Sequence, residues 1–296
     1  MVKTICLFGC GLAALALSGQ VKKQFSVEEK EECDRVALAI KAKTGNCFIR
    51  PSQNAEILNV YSNQNMEDYA HVLTNIVKNK VCLVNLALKQ DTQRGIGEKI
   101  SYQMMGTDVS SSPDKFWKIY LTDMKPYTLD LNYGLGNANV DLSGLSIQRL
   151  KINTGSADVN VGYAQGLQNK VEMDTFFVKV DMGSLSVKNI NLSRSKLIMA
   201  EVGFGNILLD FSDKPLVNFE VKGSVGAGNM IIILPDDSFP VLVKINESWL
   251  CSVSLNKGLK KVAPNTFANA SYSSNTKNPI TFDLDVSMGK ITFRDK

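Results

Sequence analysis

His71 is the only histidine in the 296-residue chain. A single imidazole can act as a general base, but a nucleophilic triad also needs a Ser or Cys partner and an orienting acid, and no GxSxG turn occurs. One histidine also rules out a multi-histidine metal site, so His71 is expected at a surface or half-buried structural position. Asp236-Asp237 follows the apolar run Met230 to Pro235 and invites comparison with the carboxylate pair of a sugar-cleaving enzyme. Adjacent residues of a strand point to opposite faces, so neighbouring carboxylates do not converge on one glycosidic bond. The pair reads as a polar turn. Asp130, Asp141, Asp158, Asp181, Asp210, Asp283 and Asp285 recur beside glycine-rich positions, but the GGxGxD pattern of calcium-binding β-rolls is missing. These too read as solvated turn and strand positions. The sequence assigns no catalytic residue, cofactor or metal ligand, and the chain is read as a non-enzyme.

Cysteine chemistry is the next possibility. Six cysteines become four, Cys33, Cys47, Cys82 and Cys251, if the N-terminal segment is removed as argued below. An even number in an exported chain permits disulfides, and Cys47 with Cys82 is the candidate pair because both lie in strand-like segments of the N-terminal half. Buried free thiols acting as small apolar side chains are the alternative. No CxxC occurs, which argues against redox and zinc motifs.

The most regular feature is a Gly-x-Gly-Asn doublet, found as Gly134-Leu135-Gly136-Asn137, Gly203-Phe204-Gly205-Asn206 and Gly226-Ala227-Gly228-Asn229. Degenerate copies occur at Gly155, Gly183 and Gly289. Without GxGxxG or GxxxxGK[ST], and with no helical pattern after any copy, a phosphate loop is not indicated. A binding loop is needed once, whereas these turns return along half the chain. They read as structural corners, where glycine supplies positive φ without steric cost.

Apolar residues alternate with polar ones on both sides of each turn, the period of a strand with one buried face. Leu129 and Leu131 precede the first corner and Val140 and Leu142 follow it; Phe282, Leu284, Ile291 and Phe293 flank the last. Each unit is strand, tight turn, strand, and one unit alone cannot bury its apolar row. Stacking can, so the fold class expected is all-β: a stacked-coil β-solenoid, single-stranded β-helix-like, over 126–296. Residues 20–125 form a less regular β-rich part, read as continuous with the stack. Strands are expected at Ala37 to Lys43, Cys47 to Arg50 and Ile57 to Tyr61. Residues 66–77 fit either a helix or part of two strands. Gln90 to Lys115 reads as a long exposed loop around a short strand. Leu259 to Pro279 is a second irregular insertion, and either it or the last strand is expected to cap the stack.

Residues 1–19 read as an export signal: Lys3, an apolar run from Ile5 to Leu17, then Ala16 and Ser18 at the −3 and −1 positions of a cleavage before Gly19. That run is short for a membrane span, and no later segment offers about 18 uninterrupted apolar residues. Losing Lys3 takes the formal charge from +4 to +3, too little to imply a nucleic-acid or acidic-membrane partner.

The blocks Phe116-Trp117-Lys118-Ile119-Tyr120-Leu121, Pro126-Tyr127-Thr128-Leu129-Asp130-Leu131 and Gly134 through Asp141-Leu142-Ser143-Gly144-Leu145 carry a family signature. Together they resemble the bacterial toast-rack family and its adhesin-like, LiaF-like and GIN-like envelope relatives. The resemblance runs roughly from Leu58 to Pro235 and departs from the pattern at Ala157, where the second glycine of the doublet is replaced. It implies an all-β stack outside the cytoplasmic membrane, in the periplasm or on the cell surface, and no chemistry. The expected role is an adhesin-like interaction module binding an envelope protein or glycan. An envelope-stress regulator acting on a membrane sensor is the alternative, and a polysaccharide-active enzyme comes third. Two kinds of surface could serve binding: rows of asparagines such as Asn132, Asn137, Asn153 and Asn206, which could equally be ladders satisfying one another, and the aromatics Phe116, Trp117, Tyr120 and Tyr127, of which alternate members should be core.

Overall fold

The computed structural model describes residues 21–63, 69–90 and 116–296, and across them the chain is almost wholly β. Side chains alternate between buried and outward positions in Phe116–Leu121, Tyr127–Tyr133 and most of the strands that follow. Seven strands come first: β1 (Lys22–Glu28), β2 (Arg35–Ala42), β3 (Asn46–Pro51), β4 (Glu56–Ser62), β5 (Tyr69–Lys78), β6 (Val81–Gln90) and β7 (Phe116–Leu121). Five regular coils follow as strand pairs: β8 (Tyr127–Tyr133) with β9 (Asn137–Asp141), β10 (Ile147–Thr154) with β11 (Asp158–Gly162), β12 (Met173–Val180) with β13 (Ser184–Lys188), β14 (Ser195–Val202) with β15 (Asn206–Asp210), and β16 (Glu220–Val225) with β17 (Asn229–Ile233). Six strands complete the chain: β18 (Val241–Glu247), β19 (Ser252–Ser254), β20 (Lys260–Ala263), β21 (Thr266–Ala268), β22 (Ile280–Val286) and β23 (Lys290–Arg294).

Within each coil the two strands join different sheets. Sheet A runs β1-β4-β7-β3-β9-β11-β13-β15-β17-β23-β19, and sheet B runs β20-β21-β18-β22-β16-β14-β12-β10-β8-β2-β6-β5. Successive coils pair in parallel, so equivalent residues stack in columns. In sheet B the inward column passes through Ile40, Leu131, Ile152, Val178 and Ala200. In sheet A it passes through Ile49, Val140, Val161, Val187, Leu209 and Ile232. These columns face one another and form the shared apolar core.

Coil order in space departs from coil order in sequence at both ends. The coil β2–β3 lies between β6–β7 and β8–β9. At the other end β22–β23 lies between β16–β17 and β18–β19. The sequence left two candidates for the cap, and the insertion provides it: β21 pairs antiparallel with β18 and β20 with β21, while the last strand, β23, is interior. Lys260 and Lys261 sit on the outermost strand, where charge opposes edge-to-edge pairing. Antiparallel strands also cover the opposite end, with β5 on β6 and with β4 and β1 beyond β7. Of the stretch that fitted either helix or strand, Tyr69–Lys78 is strand, joined to β6 by Asn79 and Lys80 at φ 50° and 59°. Paired positive φ values are those of a tight hairpin turn. The export signal, Met66 and the loop expected at 91–115 lie outside the described residues.

The structure corrects the reason for the corner glycines. Of Gly134, Gly136, Gly155, Gly183, Gly203, Gly205, Gly226, Gly228 and Gly289, only Gly136 has a positive φ, at 109°. The others are needed because the turns stack. A Cβ at Gly134, Gly136, Gly183, Gly203, Gly205, Gly228 or Gly289 would lie closer than 3.0 Å to a backbone carbonyl oxygen of the neighbouring turn; at Gly155 and Gly226 the distance would be 3.1 Å and 3.0 Å.

The disulfide expectation is corrected as well: Cys82 is bonded to Cys33, with Cα atoms 5.5 Å apart, and Cys47 is a buried free thiol. Cys82 lies on β6 in sheet B, and the pairing of Val36 with Cys82 brings in the segment just before β2, where Cys33 stands. Cys47 lies on β3 in sheet A, paired with Trp117 and Ala138. Facing sheets pack about 10 Å apart, beyond the reach of a disulfide. Lys125 secures the same segment: its Nζ donates to the carbonyl oxygens of Lys30 and Cys33 and pairs with Glu29 at 3.0 Å.

Candidate interaction surface

The residues with possible catalytic chemistry fall into structural positions. His71 is on β5 with its ring 4.8 Å from that of Phe25. Asp236 accepts a hydrogen bond from the Ser238 backbone N–H at 2.9 Å, and its bonds to Ser238 hold the carboxyl below its ordinary value. A glycosidic acid needs the opposite shift. Asp141 and Asp210 close turns by accepting from the backbone N–H of Ser143 and Ser212, and Asp285 accepts from Asn246 at 2.8 Å. Among the described residues no three His, Cys, Asp or Glu side chains gather where they could hold a metal ion. Burial pushes the Cys47 thiol up to about 12, which keeps it protonated and unreactive at neutral pH.

The asparagine rows are ladders, at least in part. Asn137 donates to Asn46 at 3.2 Å, Asn153 to Asn132 at 2.9 Å and Asn229 to Asn206 at 2.8 Å, each between adjacent coils. Parallel register places like residues side by side, so an amide can satisfy its neighbour along the stack. Sequence reading missed two buried clamps, Asn169 and Asn269. Asn169 accepts from the Ile147 N–H and donates to the carbonyls of Ile147 and Val171; Asn269 accepts from the Val241 N–H and donates to the Phe239 carbonyl. Each sits in an irregular loop where no periodicity marks it.

The four aromatics divide by strand parity. Trp117 and Tyr127 are fully buried, with the Tyr127 hydroxyl donating to the Ile57 carbonyl at 2.7 Å. Phe116 and Tyr120 belong to the outward set of β7, together with Lys118. Parallel pairing sets Phe48 opposite Lys118, and antiparallel pairing sets Tyr61 opposite it on the other side. The Tyr61 and Tyr120 rings meet edge to face at 5.6 Å, and the Lys118 ammonium lies 4.8 Å from the Phe116 ring centre. Tyr61, Lys118 and Tyr120, with Val21, Ser52 and Asn54, line a shallow depression of about 290 Å³. Its walls offer ring faces, a cation and amide and hydroxyl groups, a combination suited to a polar ligand with one apolar face. The neighbouring coils extend that face through Asn46, Asn137 and Asn139.

A larger depression of about 350 Å³ opens on sheet B near the corners, where Ala42, Ala87, Gly134 and Gly155 leave space between Lys41 and Asn153. Its floor is set by small residues and its rim by the Asn132–Asn153 ladder, so most of its amide capacity is already used.

No curated protein matches this chain. Among solved structures, a proposed cell adhesion protein from Clostridium sporogenes is 16% identical, with 94% of this chain and 100% of that one covered at a TM-score of 0.42. A proposed adhesin from Bacteroides fragilis is 12% identical, with 94% and 98% covered at 0.34. Another, from Parabacteroides merdae, is 12% identical, with 94% and 95% covered at 0.34. The model of the N-terminal domain of toast_rack, DUF2154, matches residues 17–183. That span begins ahead of the Trp117 strand, includes the Asp141-Leu142-Ser143-Gly144-Leu145 block and covers more than half of the 296 residues, so the chain belongs to the toast-rack family.

Proposed function

We propose that this chain is an exported, non-enzymatic interaction module of the bacterial cell envelope or surface, adhesin-like in action, that binds glycan or protein through the outer face of sheet A. The aromatic end of that face carries the reading: Tyr61 and Tyr120 in edge-to-face contact beside Lys118, at the mouth of a depression lined by Ser52 and Asn54. Half-buried aromatic rings backed by a rigid sheet lose little conformational entropy on binding. Export is supported by the apolar run from Ile5 to Leu17 and by the Cys33–Cys82 disulfide, since such bonds persist in oxidising compartments. The non-enzymatic reading is supported by the turn-closing role of Asp236.

A glycan array that includes peptidoglycan fragments, probed with the unmodified chain and with a Tyr61→Ala/Tyr120→Ala variant, tests the reading. Binding should fall at least about tenfold in the variant, the loss of roughly 1–3 kcal/mol expected when ring stacking is removed. Equal binding by both chains would remove this face as the site.

A further inference from the structure

The corners of the stack form a row with a surface chemistry unlike the rest of the molecule. The middle residue of each turn points outward, and parallel register places these residues in a line: Leu135, Ser156, Met182, Phe204, Ala227 and Met288, ending at Trp249 of the outermost coil. Five of the seven are large and apolar, and their exposures are 59% for Leu135, 66% for Met182, 74% for Phe204, 58% for Met288 and 90% for Trp249. With strands about 4.8 Å apart, the row is about 30 Å long. Isolated exposed apolar residues are ordinary, but an aligned series at these exposures marks a contact surface.

We propose that this row is a lipid-contact ridge that seats on the boundary between headgroups and acyl chains of a net-neutral bilayer. The backbone is prepared for such a move. In six of the seven turns the N–H of the tip residue donates to a carbonyl of the neighbouring turn: Leu135 to Lys43, Ser156 to Gly134, Met182 to Gly155, Phe204 to Asp181, Ala227 to Gly203 and Met288 to Gly226, all at 2.7–2.9 Å. These six donors therefore keep their hydrogen bonds when water leaves, which lowers the cost of placing the turns against lipid. A protein partner, including a second copy, fits less well. A stable interface engages about 20–30 residues a side, whereas the ridge offers seven positions one side chain wide, and two convex ridges meet only along a line. A bilayer needs no matching groove and accepts protruding side chains one by one. Tryptophan, here the most exposed of the large apolar residues, favours that boundary. Flanking charge selects the kind of bilayer: Lys41, Lys43, Lys179 and Lys290 are offset by Asp158, Asp181, Glu201, Glu247 and Asp285, so no cationic strip calls for anionic lipid. The ridge does not depend on the glycan or protein reading of sheet A.

The test is flotation of the full chain with phosphatidylcholine vesicles while tryptophan emission is followed. Trp117 is fully buried, so a blue shift and quenching by lipid-borne bromines report Trp249. Co-flotation, a blue shift and no loss in high salt are expected. A Met182→Ser/Phe204→Ser variant should keep its circular dichroism and melting temperature, because both side chains are exposed, and lose at least about tenfold in partitioning. The proposal is overturned if emission is unchanged at saturating lipid, or if the variant floats as well as the unmodified chain. It is also overturned if binding requires anionic lipid and vanishes in salt, or if the chain dimerises without lipid in a way that Phe204→Ser abolishes.

Discussion

At Gly205 the backbone torsion is ordinary, yet a methyl group there would run into the Gly183 carbonyl and the Val180 side chain. At Gly166 the reverse holds: φ is +79° and nothing lies within 4 Å of a built Cβ. These two glycines separate two physical costs that sequence inspection merges. Gly166→Ala pays only the left-handed strain, about 1–2 kcal/mol. Gly205→Ala forces neighbouring turns apart, and because those turns are joined by ladder hydrogen bonds the loss should be larger, about 3 kcal/mol or more. Urea denaturation of both variants checks the order; a midpoint for Gly205→Ala at or above that of Gly166→Ala would show that opening the corner costs no more than the left-handed strain.

Each coil turns twice, and its two corners are held by different means. Where the tight corner between a sheet B strand and its sheet A partner carries glycine it is a turn of three residues, whereas the glycine-free corner between β18 and β19 has four. The return from sheet A to the next coil is a loop of variable length, and there buried side-chain amides replace the missing ladder. Asn169 fills that role ahead of β12, tying the start of β10 to Val171 with three hydrogen bonds between 2.7 and 2.8 Å. Asn269 repeats the arrangement at the start of β18. Asn169→Ala leaves one buried N–H and two carbonyls without these partners, so a loss of about 2–4 kcal/mol is expected. Native-state hydrogen exchange offers the sharper measurement: the Ile147 amide should lose protection by more than the amides of β16, which lie several coils away.

Across the whole molecule, stability depends on how the ends are closed, because a stack of parallel coils otherwise exposes two edges. Both ends interrupt the sequence order of coils; the N-terminal end finishes in antiparallel strands in both sheets and the C-terminal end in sheet B, while sheet A ends there on the parallel strand β19. At the N-terminal end the Cys33–Cys82 bond spans 49 residues and ties the segment before β2 to the adjacent outer coil through β6. Loop-closure entropy for a span of that length is worth about 4 kcal/mol. A Cys33→Ala/Cys82→Ala variant should therefore melt well below the unmodified chain. Adding a reductant should lower the melting temperature of the unmodified chain and leave that of the variant unchanged; a reductant effect of equal size in both would show that the bond contributes nothing.

Strand positions, the stacked-coil class and the corner turns were legible in the sequence because each follows from a local period: two along a strand, and about two dozen residues from one corner to the next between Gly134 and Gly226, degenerate copies included. The division of Phe116, Trp117, Tyr120 and Tyr127 into core and surface was only half legible. Alternation predicts that neighbours on β7 face opposite ways, but not which set turns inward. Pairings between distant segments left no local trace. Cys33 stands in an irregular stretch, so Cys47, on a recognisable strand, looked the better partner for Cys82; only the side-by-side placement of β2 and β6 brings Cys33 within bonding distance. Asn169 and Asn269 were silent for the same reason. The sequence by itself therefore determined what each coil is, since a coil is specified by residues close together in the chain. Tertiary structure decided which coil lies beside which, why the corners must be glycine, and how Leu135, Met182, Phe204, Met288 and Trp249 come into one line, because those depend on contacts between residues that only stacking brings together.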